Sequence, residues 1–209
     1  MIKLLVVDHH PIIRKGLELF FSTSHDVKVV GSIDNGEAIF DFLKKNDNVD
    51  IILTEIDLPK LNGITALRRL KKEYPNVKVV MFSAQPEEVY AISAIKAGAA
   101  GYVSKTSNVI TIKEAISKVD QGGIYLNNDI AHRLAFGDRS GRTGSLYKKL
   151  STRELEVLKL LSSGKKNKEI AQELEINEKT VSTYKARLMK KLRVNNIVEL
   201  INQAKLLES

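Results

Sequence analysis

Along residues 1–120 two apolar rhythms alternate. Short β-branched runs at Ile2–Val7, Val27–Gly31, Ile51–Thr54, Val77–Phe82 and Gly101–Val103 each predict a strand. Between and after them lie Pro11–Phe21, Gly36–Lys45, Gly63–Tyr74, Glu87–Ala97 and Val109–Gln121. These repeat their apolar residues every three or four positions, the spacing of one helix face. Five strands alternating with five helices predict an α/β domain, a doubly wound five-stranded parallel sheet covered on both faces. In an open sheet of this kind the strand C-termini line a crevice where chemistry sits.

The alternation ends at residue 121. Residues 122–149 hold Gly122-Gly123, Asn127-Asn128 and the stretch Gly137–Ser145, and read as a polar linker with a short helix around Asp129–Phe136. Residues 150–209 predict an all-α domain of four short helices. Ser151-Thr-Arg-Glu154 is a capping box before Leu155, Val157, Leu158 and Leu161, and Gly164 ends that helix. Asn167 is placed to cap a second helix carrying Ile170, Ala171 and Leu174. Asn177 is placed to cap a third with Val181, Tyr184, Leu188 and Leu192 on its inward face. A fourth covers Ile197–Leu206.

The absence of cysteine excludes a disulfide framework, a thiolate metal site and a cysteine nucleophile. No apolar run approaches the roughly 18 residues of a membrane span, and Ile2–Val7 is too short for the apolar core of a signal peptide. A soluble, cytoplasmic protein with no membrane partner is expected. Basic side chains outnumber acidic ones by 33 to 25, a net charge of +8. The excess is uneven: 16 basic and 15 acidic in residues 1–120, 5 and 2 in 121–149, 12 and 8 in 150–209. An anionic partner, nucleic acid first, is therefore expected at the helical domain and not at the sheet.

The helices at 167–174 and 178–192 are joined by Glu175-Ile-Asn177, a helix-turn-helix arrangement whose second helix is free to enter a major groove. Its outward face carries Lys179, Ser182, Thr183, Lys185, Ala186, Arg187 and Lys190. Small residues allow close approach to base edges, and the flanking cations neutralise phosphates. On spacing alone, a solvated basic face of a packing helix remains the competing reading. The motifs Leu150-Ser-Thr-Arg-Glu-Leu-Glu-Val-Leu158, Lys168-Glu-Ile-Ala171 and Glu178-Lys-Thr-Val-Ser-Thr-Tyr-Lys185 resemble the DNA-binding domain of the NarL/LuxR family of bacterial transcription regulators. The resemblance implies a homodimer that sets one recognition helix in each half of an inverted repeat in double-stranded DNA. It places Lys179 and Thr180 at backbone-contact positions and Ser182, Thr183 and Ala186 at base-facing positions. Tyr184 stands where the family often has His, and is expected to pack with its hydroxyl at the DNA backbone.

Residues 1–120 in turn resemble a response-regulator receiver domain. The resemblance rests on Val6-Val-Asp8, Leu58-Pro-Lys-Leu-Asn-Gly63, Ser83-Ala84 and Gly101-Tyr-Val-Ser-Lys105, all at strand C-termini. It implies two acids for a divalent metal, an Asp phosphoacceptor, a Ser or Thr that reads the phosphoryl group, and a Lys that pairs with it. Asp8, Ser83 and Lys105 match. Glu55 stands in place of the acceptor Asp, and its extra methylene moves the carboxylate about one bond length further into the crevice. Positioning supplies most of the catalysis of phosphoryl transfer, so that shift is costly. His9 stands in place of an acid, and imidazole is a poor ligand for Mg²⁺. A transition-metal site at His9 and His10 is set aside, because neighbouring side chains point apart and His10 matches a common family residue.

A long acid at Glu55 reaches toward Lys105 and puts charge near Ser83, imitating part of a phosphorylated state. Alternatively it forms a static ion pair with Lys105 in an inert dimerising scaffold. Asp57 is a relocated acceptor only if its loop is rebuilt; otherwise it is a solvated turn or capping residue. Tyr102 matches the family's switch aromatic, although without a switch it reads as an exposed strand residue. The expectation is a dimeric, sequence-specific DNA-binding transcription regulator independent of conventional aspartyl phosphorylation, with no enzymatic activity, cofactor or metal. The alternative is a phosphorylation-switched regulator with weakened acceptance, or acceptance moved to Asp57, and a histidine kinase or other protein partner. A pure interaction protein is a third class, against which the basic helical domain speaks.

Overall fold

The computed structural model describes residues 1–136 and 150–205. The chain divides into two compact units, Met1–Gly137 and Asp138–Ser209. In the first, five parallel strands stand in the order β2-β1-β3-β4-β5. They are β1 Ile2–Val7, β2 Val27–Ile33, β3 Ile51–Thr54, β4 Lys78–Ser83 and β5 Gly101–Ser104. Between and after them run α1 Pro11–Ser22, α2 Ala38–Lys45, α3 Gly63–Glu73, α4 Glu87–Lys96 and α5 Val109–Asp120. The doubly wound α/β sheet is thus present. One deviation is the start of α2, where Asn35 Oδ1 accepts the Ala38 amide at 3.0 Å and delays the helix beyond Gly36.

Period-2 alternation gives β1, β3, β4 and β5 two buried faces, while the edge strand β2 is mostly half-buried. Leu4, Val6, Ile51, Leu53, Val80 and Val103 pack with Leu17 and Phe21 of α1 and with Ile112, Ala115, Ile116 and Val119 of α5. The intervening Leu5, Val7, Ile52, Val79 and Met81 are equally buried and point to the opposite face. The register aligns Val7 with Thr54 and Thr54 with Met81, so the strand C-termini open at one edge. Gly63 begins α3 against that edge. A Cβ on Gly63 would lie 2.0 Å from the Glu55 carbonyl oxygen, so only glycine lets α3 start there.

The first unit continues beyond residue 121. Tyr125 forms a parallel bridge with Gly101 on the outer edge of β5, accepts the Tyr102 amide at 2.9 Å, and donates its own amide to Ala100 O at 2.9 Å. A helix then forms where one was expected, α6 Asn128–Phe136, and packs against α4. Glu87 of α4 ties this segment down by accepting from Asn127 Nδ2 and, at 3.2 Å, from the Ser104 amide. The linker stretch Gly137–Ser145 and the end of the last helix at Leu206 lie outside the described residues.

The second unit holds α7 Thr152–Ser162, α8 Asn167–Glu173, α9 Glu178–Leu192 and α10 Ile197–Lys205. Its core is Leu155, Leu158, Leu161, Ile170, Leu174, Val181, Leu188, Leu192 and Leu200. The capping box at Ser151 and Glu154 is formed, and Asn177 caps α9 by accepting the Thr180 amide at 2.9 Å. Glu175 makes the α8–α9 turn with φ of 53°, a left-handed conformation. Asn167 is not the cap of α8 but its first residue. Glu169 reaches back to the Lys166 amide at 2.7 Å and starts the helix there. Among the described residues no helix is long and apolar enough to cross a membrane.

Gly63→Ala is expected to lower stability by about 1–3 kcal/mol in urea melts, the usual range for forcing extra volume into a packed site. Gly16→Ala, where an added Cβ meets nothing within 4 Å, should gain up to about 1 kcal/mol from helix propensity. Equal effects at the two positions would contradict the close approach at Gly63.

Burial raises the buried Glu154 carboxyl, but hydrogen bonds from Lys191 and Ser151 outweigh it and hold the group below its ordinary range. A carboxylate depressed in the folded state adds stability above its unfolded value, and that stability is lost as pH falls through the folded one. Glu154→Gln should therefore flatten the acid limb of the melting temperature against pH. An unchanged acid limb would show that Glu154 carries none of it.

Candidate functional site

Asp8 follows β1, Glu55 follows β3, Ser83 ends β4 and Lys105 follows β5, so one strand edge collects all four. Lys105 Nζ lies 2.6 Å from Asp8 Oδ2 and 2.7 Å from Glu55 Oε2, and all three side chains are at least nine-tenths buried. Ser83 Oγ donates to Glu55 Oε1, which also accepts the Ile56 amide at 2.5 Å and the Asp57 amide at 3.3 Å. Both oxygens of Glu55 are thereby engaged, one by the hydroxyl and one by the ammonium.

The network extends on both sides. Asp8 Oδ1 accepts the His10 amide at 2.8 Å and lies 3.0 Å from His10 Nδ1, while Arg14 Nη1 donates to Asp8 O at 2.6 Å. Ser83 Oγ accepts the Gln85 amide at 3.2 Å. Gln85 Nε2 donates to Asp57 Oδ2 at 2.7 Å, so Asp57 is a half-buried partner of Gln85 and caps no helix; Asn62 caps α3. Gln85 O accepts the Tyr102 hydroxyl at 2.8 Å. Tyr102 is fully buried, contrary to the exposed strand residue expected. Burial raises its hydroxyl well above the ordinary range, with a hydrogen bond involving Ser83 opposing.

The divalent cation implied by the receiver resemblance does not fit these residues. Lys105 Nζ already bridges the two carboxylates that would face it. His9, in place of the second acid, has a buried Nδ1 with no hydrogen-bond partner among the described residues. The imidazoles of His9 and His10 do not point apart as expected: their centroids are 3.7 Å apart. One ligand atom each from Asp8, His9 and His10 lies within 4.8 Å of the others, but the Asp8 carboxylate in that group is the one paired to Lys105.

In the helical unit, Val181, Leu188 and Leu192 turn α9 inward. Lys179, Ser182, Thr183, Ala186 and Arg187 are exposed on the opposite side, with Thr180 and Lys185 half-buried beside them. The spacing placed Tyr184 on the inward face. It is instead half-buried, with the Arg187 guanidinium 6.0 Å from its ring centroid.

Comparisons with known proteins match both units. Residues 4–117 match the response regulator receiver domain, and residues 148–204 match the bacterial regulatory proteins of the luxR family. The Fimbriae Z protein of Escherichia coli K12 is 36% identical over 204 residues, 98% of this chain and 96% of that protein. BvgA, a transcription regulator of virulence factors in Bordetella pertussis, is 34% identical over 205 residues, 97% and 96% of the two chains. The chain belongs to the luxR family of response regulators. RcsB of Salmonella enterica serovar Typhimurium, solved on promoter rprA with the phosphomimetic BeF3⁻, shares the fold of this response regulator. Its TM-score is 0.80 at 23% identity, over 98% of each chain.

Three residues of this response regulator had no motif to announce them. Gln85 is two residues beyond Ser83, and its position past a strand C-terminus was the available signal. Arg14 sits in a helix without local pattern. Asn167 looked like a cap and instead spans α8 and α9, with Oδ1 3.2 Å from Lys185 Nζ and Nδ2 3.2 Å from Ser182 Oγ.

Removing one partner of a buried ion network leaves an uncompensated charge, at a cost of roughly 3–5 kcal/mol. Lys105→Met should lose stability on that order in urea melts at neutral pH. Lys105→Met with Glu55→Gln should lose markedly less, and equal losses would mean that the carboxylate pair is not what Lys105 neutralises.

Proposed function

We propose that this DNA-binding response regulator acts in the cytoplasm as a homodimer, setting one α9 in each half of an inverted repeat, independently of conventional aspartyl phosphorylation. The observation that carries the second part is the double engagement of Glu55. In the receiver resemblance Ser83 and Lys105 read a phosphoryl group. Here one carboxylate meets both of them. Phosphorylating Glu55 would first break those bonds, in a site where Lys105 occupies the space between the carboxylates. Relocation to Asp57 has less support, since its carboxylate is taken by Gln85. A histidine kinase partner is then not required.

The DNA-binding part is supported by the cationic, small-residue outward face of α9 and by the RcsB fold, solved as dimers bound to DNA. Lys179, Thr180, Lys185 and Arg187 are assigned to the backbone, with Tyr184 at its edge, and Ser182, Thr183 and Ala186 to base edges. A dimer would place the two helices about 34–36 Å apart, one turn of duplex.

Genomic fragments selected by the full-length protein, with and without acetyl phosphate and Mg²⁺, test the proposal. The same fragments should be enriched in both arms, and enrichment only with the phosphodonor overturns phosphorylation independence. Glu55→Asp with His9→Asp should gain phosphate acceptance. Lys179→Glu with Lys185→Glu should abolish binding, and retained specific binding would reject α9 as the contact helix.

A further inference from the structure

Helices α8 and α9 are linked by a hydrogen-bond chain whose direction is fixed by what each group can do. Lys185 Nζ lies 3.2 Å from Asn167 Oδ1, Asn167 Nδ2 lies 3.2 Å from Ser182 Oγ, and Ser182 Oγ lies 3.1 Å from Glu178 O. An ammonium only donates, so the amide oxygen of Asn167 faces Lys185. Its NH₂ group then faces Ser182, whose oxygen accepts there. A carbonyl only accepts, so the single hydroxyl proton of Ser182 goes to Glu178. Ser182 is left with one lone pair and no proton for any outside partner. Thr183 is similar: Oγ1 donates to Lys179 O at 3.0 Å.

A free serine hydroxyl rotates and serves donors and acceptors alike, so it distinguishes bases poorly. Held as it is here, it presents an acceptor only. In the major groove, adenine N6 and cytosine N4 donate, whereas guanine O6 and thymine O4 accept. We infer that Asn167 is a specificity-determining positioning residue: by donating to Ser182 Oγ it holds the hydroxyl in the rotamer whose proton goes to Glu178 O, and so makes the recognition face select a base with an exocyclic amino group. The inference rests on α9 entering the major groove as proposed above. Asn167 acts without touching the base. Lys185 and Ser182 are both residues of α9, so the amide also holds that helix against the start of α8.

The test uses the full-length protein and the inverted repeat recovered by selection. Duplexes carrying each of the four base pairs at every half-site position are titrated with wild type, Asn167→Ala and Ser182→Ala. Wild type should favour adenine or cytosine over guanine and thymine at one position per half-site by roughly fivefold or more, the low end of the cost of one mismatch. Ser182→Ala should erase that preference and no other. Asn167→Ala should reduce it to about twofold at the same position and leave the remaining positions as they were. Asn167 is half-exposed, and circular dichroism checks that the variant folds. If Asn167→Ala keeps the preference, or weakens all positions uniformly as a merely structural residue would, the inference is wrong. It is also wrong if the Ser182-dependent position favours guanine or thymine. If wild type discriminates at no position, the assignment of α9 fails first and takes the inference with it.

Discussion

Lys105 brings one positive charge to the buried ends of the strands, and the carboxylates of Asp8 and Glu55 meet it at 2.6 and 2.7 Å. A charge taken out of water is tolerated only when paired and fully hydrogen-bonded. The chain supplies the pairing from separate strand ends, and Glu55 is also hydrogen-bonded to Ser83 and the Ile56 amide, whereas Asp8 Oδ2 is held by the charge of Lys105. The alignment of these strand ends depends on the sheet order β2-β1-β3-β4-β5 and on Gly63, which lets α3 start against the Glu55 carbonyl. The site and the register of the sheet therefore specify each other.

The side-chain length of Glu55 has two consequences with one cause. An acid one methylene longer than Asp carries its carboxylate to both Ser83 and Lys105 at once. The same reach occupies both of its oxygens and sets the Lys105 ammonium between the two acids. Beyond Ser83 the bonds pass through Gln85 to the hydroxyl of Tyr102, which is buried in the sheet. A side chain at the centre of the crevice is thus connected to β5 through hydrogen bonds on either side of the Gln85 backbone.

Much of this was readable from residue order. The two apolar rhythms located all five strands and the helices between them, because burial on both faces of a parallel sheet demands continuous β-branched runs. The Ser151–Glu154 box and the Asn177 cap declared two helix starts through local chemistry. Where several local options competed, the sequence was silent. Asn167 could serve as a cap until Glu169 took the Lys166 amide. The orientation of Tyr102 depended on which face of β5 the helices cover, and the stacking of His9 on His10 on a turn with neither strand nor helix alternation. The pairing of Glu55 with Lys105 was foreseen because both stand at strand C-termini. Its extension through Gln85 required distances that no spacing encodes.

The segment at Tyr125 has an effect at the rim of the sheet. An edge strand offers unpaired backbone groups that template pairing with another chain. On β5 the Tyr102 amide and the Ala100 carbonyl are already bonded to Tyr125, and α6 follows directly. The short stretch after the last sheet helix therefore guards that edge against intermolecular strand addition. A chain shortened before Tyr125 would keep every strand and expose an aggregation-prone border.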